Sequence, residues 1–98
     1  MTPPPERPGL RLRRDVTACD TETGMVLLDE RTGRYWQLNG TGAHILRALL
    51  DGGTPDGVAE ALAARVEAVS REQIAADVRD LLDRLAAARL TEGAPAAG

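Results

Sequence analysis

This 98-residue sequence predicts a small antiparallel sheet of three strands followed by three helices, an α+β arrangement. Three observations carry that expectation. Up to Asn39 the apolar residues fall in short β-favouring runs, whereas from Thr41 onward they recur at helical spacing. Glycine, proline and capping residues punctuate both halves where such elements would start and stop.

The first strand is expected over residues 15–20, "DVTACD", where Val16 and Thr17 favour extended backbone. "TETG" follows as turn material. Residues 25–30, "MVLLDE", and 34–38, "RYWQL", are joined through the Gly-containing link at 31–33, the pattern of a hairpin with a loop of three to five residues. Consecutive strands usually pair, so a meander is the simplest topology. Its last strand, 34–38, is then a free edge, and Arg34 at its start limits indiscriminate pairing.

In the first helix Ile45, Leu46, Leu49 and Leu50 form one stripe, stopped by Gly52 and Gly53. The second opens with Thr54 as N-cap and Pro55 at the first helical position, with Val58, Leu62 and Val66 as its stripe. Ser70 and Gln73 form a capping box for the third, which runs towards Leu90 with Ile74, Val78, Leu81, Leu82 and Leu85 on its buried side.

Residues 1–14 are rich in Pro and Arg, and residues 91–98 in Ala and Gly; neither stretch is periodic. The first reads as a flexible basic arm and the second as a disordered tail, leaving 15–90 as a single domain with a lean core. Arg7, Arg11, Arg13 and Arg14 make the arm locally basic, suiting a solvated arm or docking to an acidic peptide. The net charge of -3 argues against a nucleic-acid partner. No apolar run resembles a signal peptide or a membrane span, so a soluble, cytoplasmic protein is expected.

Chemistry-bearing residues are sparse. Cys19 and His44 are each the only residue of their type, so neither a disulfide framework nor a Cys/His metal site is expected. Cys19 is expected as a buried or half-buried thiol by the first strand, and His44 on a helix surface. "NGTG" lacks the spacing of a phosphate loop, and turn geometry accounts for its glycines. Asp77, Asp80 and Asp83 interleave with Arg79 and Arg84, as on a solvated face or the rim of a recognition groove.

The two aromatic residues, Tyr35 and Trp36, are adjacent. In a strand they face opposite sides. Trp36, in phase with Leu38, is expected under the helices, and Tyr35, in phase with Gln37, on the outside; a bulge before Leu38 would exchange them.

From Val26 to about Leu90 the order of features resembles the PqqD-like family, the RiPP recognition elements that bind leader segments of ribosomally made precursor peptides. The matching features are "VLLD" before a tight turn, "GRYWQLN", the "TG" opening the first helix and the "LL" and "GG" that close it. "TPDGVAEAL" and the pattern around Asp77 and Val78 complete the match. The resemblance implies a winged-helix-like fold without catalysis or cofactors. It also implies that the leader adds as an antiparallel strand on the edge strand, beside the third helix.

Carried onto this sequence, the site comprises Arg34, Tyr35, Trp36, Gln37 and Leu38 from the strand. The third helix supplies Ile74, Asp77, Val78, Leu81 and Arg84. For Val78 and Leu81 ordinary core packing explains the residue equally well. Length and Ala/Arg/Gly-rich composition look most like the free-standing domains of lasso-peptide pathways. The partners would there be the precursor peptide, a leader peptidase of the cysteine-protease class and a cyclase. The alternative is escort of a peptide to a radical-SAM enzyme in pyrroloquinoline quinone synthesis. Neither nucleic acid nor membrane is an expected partner, and the chain is expected as a monomer or weak homodimer. A winged-helix DNA-binding regulator is disfavoured, because acids match or outnumber arginines along the third helix.

Overall fold

The computed structural model describes residues 9–65 and 69–95. The expectations for Arg7, Val66 and the outer parts of both termini lie outside the described residues. The elements run β1 (Arg11–Leu12), β2 (Val16–Thr21), β3 (Gly24–Asp29), β4 (Arg34–Asn39), α1 (Gly40–Leu50), α2 (Pro55–Arg65), α3 (Arg71–Ala87) and β5 (Thr91–Glu92).

The expected meander is present: β2, β3 and β4 form an antiparallel sheet in that order, with β4 at one edge. The first residue of β3 needs to be glycine to fit against β4. A Cβ on Gly24 would run into the Leu38 carbonyl oxygen and lie 2.8 Å from the Asn39 carbonyl carbon. The β3–β4 loop spans 30–33 and closes with Gly33 at φ 77°, where a side chain is strained. Inside it, Gly33 N–H donates to the Asp29 carbonyl at 2.8 Å, and Arg31 N–H to the Asp29 carboxylate at 3.0 Å.

One face of the sheet packs on the helices. Met25 and Leu27 of β3 are buried with Ile45, Leu46 and Leu49 of α1, Val58, Ala59 and Leu62 of α2, and Ile74, Val78 and Leu85 of α3. The helix starts follow the capping residues. The Asn39 side chain accepts from Gly42 N–H at 2.8 Å, Thr54 from Gly57 at 2.9 Å and Ser70 from Gln73 at 3.1 Å. Beyond Val16, β2 is exposed, and its Asp20 forms an ion pair with Arg47 of α1.

Three expectations are corrected. The described part of the basic arm is structured: Leu10 is 5% exposed, and β1 pairs with β5 through Arg11 with Glu92 and Leu12 with Thr91. The start of the expected tail is therefore a strand. Two-residue strands have no periodicity to read, so only partner and burial reveal them. The third helix ends at Ala87 rather than near Leu90. Arg89 turns left-handed at φ 59°, with Leu90 N–H donating to Leu85 carbonyl and Arg89 N–H to Ala86 carbonyl, both at 3.0 Å. This is a Schellman stop with arginine where glycine is usual, at a cost of about 1–2 kcal/mol. Cys19, finally, is exposed, because it faces away from the helices, paired with Val26.

Candidate functional site

β4 and α3 run antiparallel along the two sides of a groove. Its larger section, about 750 Å³, lies between Trp36 and Leu38 on the strand and Leu81, Leu85, Ala88 and Leu90 on or after the helix. It continues past Leu38 into a smaller section of about 340 Å³, bordered by Asn39, Thr41, Asp77, Asp80, Leu81 and Arg84. Beyond that, Asn39, Thr41, Gln73, Ile74 and Asp77 line a third hollow near the start of α3.

Register decides which strand residues reach the groove. Leu27 faces Trp36 and Met25 faces Leu38 across the ladder, on the helix side. Trp36 and Leu38 are therefore half-buried against the core, and the indole N–H of Trp36 is buried without an acceptor among the described residues. On the opposite face Leu28 pairs with Tyr35 and Val26 with Gln37. Tyr35 is 65% exposed there, on the outside as its phase predicts, and its side chain is not among those bordering the groove. Trp36 borders it instead. Gln37 borders the groove from the edge.

The backbone of β4 supplies a second feature. Its Leu38 carbonyl points towards β3, since a Cβ on Gly24 would meet it. In an antiparallel ladder these directions alternate along the strand. Arg34, Trp36 and Leu38 thus bond to β3, and the N–H and C=O of Tyr35 and Gln37 point to the open edge. Tyr35 meets the edge through its main chain.

On α3 the expected residues divide by depth. Val78 is fully buried and Ile74 is 5% exposed, so both support the groove from below, with Ile74 also touching its far end. Leu81 is half-buried and lines both main sections. Asp77 and Arg84 are exposed on the rim, Arg84 in an i,i+4 ion pair with Asp80 at 3.0 Å. Residues beyond the expected set are Leu85 and Gln73 of α3, Asn39 and Thr41 at the junction of β4 and α1, and others from two loops. Arg31 arrives with the β3–β4 loop, and Ala88, Arg89 and Leu90 with the stop of α3. The longer helix expected there placed those three elsewhere.

His44 is exposed on α1, as expected of a helix-surface residue. Among the described residues no group of three or more His, Cys, Asp or Glu could hold a metal ion, and no helix is long and apolar enough to cross a membrane.

Comparison with known proteins joins these features. No curated protein matches the chain. Among solved structures, "Lasso peptide synthetase B1 complexed with the leader peptide" is 40% identical with a TM-score of 0.80, over 86% of this chain and 98% of that one. "TbiB1 in Complex with the TbiA(beta) Leader Peptide" is 30% identical with a TM-score of 0.75, over 88% and 99%. The sheet and three helices expected from the sequence are thus the architecture of these neighbours. The family model for coenzyme PQQ synthesis protein D matches residues 24–90, from the start of β3 to the stop of α3. With most of its length matched, the chain belongs to the PqqD family.

Proposed function

We propose that the chain binds the leader segment of a ribosomally made precursor peptide as an added strand on β4, in the groove against α3. It hands that peptide to separate modifying enzymes and performs no catalysis of its own. The observation that carries this reading is an edge strand whose outward N–H and C=O groups border an apolar groove. Main-chain bonds along such an edge supply affinity, and alternate side chains entering the groove supply selectivity. Two similar structures, at 40% and 30% identity, contain leader peptides.

The neighbour at 40% identity, a lasso peptide synthetase B1, favours a lasso-peptide pathway, with a cysteine-protease leader peptidase and a cyclase as the enzymes served. A DNA-binding role has less support. Along α3, Glu72, Asp77, Asp80 and Asp83 are exposed beside Arg71, Arg79 and Arg84, which leaves no basic recognition face.

The test is titration with the synthetic leader of the short precursor encoded beside this chain. Saturable binding is expected, weakened about tenfold or more by Leu81→Ala or by Asp77→Ala, a loss of about 1.4 kcal/mol. Absence of binding to any such leader refutes the escort role. Amide shifts far from β4 and α3 refute the groove alone.

A further inference from the structure

The groove is charged in opposite senses at its two ends. Where Trp36 meets Leu85, it is bordered by Arg31, Arg34, Arg84 and Arg89, with Asp29 the one acid. That acid accepts from the Arg31 N–H and lies 3.9 Å from the Arg31 guanidinium, and Arg84 is paired with Asp80, so the net positive charge of this end rests on Arg34 and Arg89. Where Leu38 meets Asp77, the section is bordered by Asp77 and Asp80 against Arg84 alone, and Arg84 is paired with Asp80. The next hollow has Asp77 as its only charged residue. Beyond the basic end Arg89 also borders a hollow shared with Arg13 and Arg14, where the acids are Asp15 and Glu92.

Arg89 is the sharpest member of this set. It occupies the left-handed position that stops α3, where glycine fits without strain. An arginine stands there nonetheless, and it is one of the residues bordering the groove. Residues held in unfavourable backbone regions cluster at binding sites. The dipole of α3 runs against the gradient, but it amounts to about half a charge at each end and fades within one turn. Several full side-chain charges outweigh it.

Resting on the proposed function, we infer that the groove selects its peptide by charge order. The bound segment carries a basic side chain towards its N-terminus, apolar side chains in the middle and acidic side chains towards its C-terminus. The direction follows from the edge. All three strands of the sheet pair antiparallel, and antiparallel addition is the slightly stronger ladder. A strand antiparallel to β4 enters at Asn39, beside Asp77, and leaves at Arg34, beside Arg89. Rim charges of this kind set register and reject wrong ligands.

The test uses the leader of the adjacent precursor and a variant with its basic and acidic flanks exchanged, compared by titration at low salt. The exchanged peptide is expected to bind at least tenfold more weakly, and Asp77→Arg combined with Arg34→Glu to narrow that gap. Arg89→Gly is expected to weaken the natural leader several-fold without lowering the melting temperature. A nitroxide on the leader's N-terminus is expected to broaden the amides of Thr41 and Gln73 and spare Arg31 and Ala88. Equal binding of the two peptides, or the reverse broadening pattern, overturns the charge order while leaving the escort role intact. Failure of both peptides to bind removes the escort role, and the charge order with it.

Discussion

Asp29 is the one charged side chain buried among the described residues, at 5% exposure. Burial alone would raise its pKa. The Arg31 N–H, the Thr32 side chain, the Arg31 guanidinium and the Thr32 N–H together outweigh that effect and hold it below the ordinary 3.8. The unfolded chain therefore binds the proton more tightly than the folded one. The stabilisation is fully present above the ordinary carboxylate value and is lost as pH falls through the lowered folded one. Urea midpoints measured from pH 6 downward are expected to fall more steeply for the natural chain than for Asp29→Asn at the acid end. Asparagine keeps an acceptor for the Arg31 N–H but does not titrate. Parallel curves would show that Asp29 is not the group responsible. At this scale the sequence was legible where a side chain acts on its own neighbours: Thr54 and Ser70 accept where helices begin, as expected, and Asn39 does the same for α1. It was silent on Asp29 and Arg89, whose settings depend on a fold brought together around them.

At the scale of the element, β4 serves two surfaces and one open edge. Alternation of apolar and polar residues placed Trp36 and Leu38 inward and Tyr35 outward, because one buried face fixes the phase of a strand. What alternation could not supply was the direction of the main-chain groups, which depends on the pairing with β3. That direction makes a prediction. Proline at Gln37 removes an N–H that faces the open edge, whereas proline at Trp36 removes one that bonds to β3. Gln37→Pro is expected to lower leader affinity at least tenfold with a modest loss of melting temperature. Trp36→Pro is expected to unfold or strongly destabilise the domain. If Gln37→Pro binds the leader normally, the added strand does not use this edge. The opposite flank of β4 is guarded by Gly24. Its replacement by alanine is expected to shift the Leu38 backbone, visible as amide shifts along β4 and a lowered melting temperature.

At the scale of the whole molecule, two short strands far apart in sequence, β1 and β5, pair with each other. A chain of this length has only about 5–15 kcal/mol of net stability, so each buried leucine matters. Leu10, at 5% exposure, enters the core just before β1, and Leu90, at 1%, just before β5. Arg13 N–H donates to the Leu90 carbonyl at 3.0 Å, tying the two segments together beside the ladder. Neither segment has a period, which is why composition suggested loose ends; the information lies in their pairing. Leu90 also borders the groove, so the clasp and the site share a wall. Leu90→Ala is expected to cost about 2–5 kcal/mol, as for other buried leucines. Leu10→Ala, outside the lining residues, is expected to lower stability by a similar order. If the clasp holds the stop of α3 against β4, both substitutions weaken leader binding, and Leu10→Ala does so without touching the peptide. Hydrogen exchange at the Leu90 and Arg89 amides reads the linkage directly. Faster exchange there in Leu10→Ala, with unchanged exchange in β3, locates the loosening at the basic end of the groove. Unchanged exchange at both amides would mean that the clasp and the groove are independent, and that Leu10 serves stability alone.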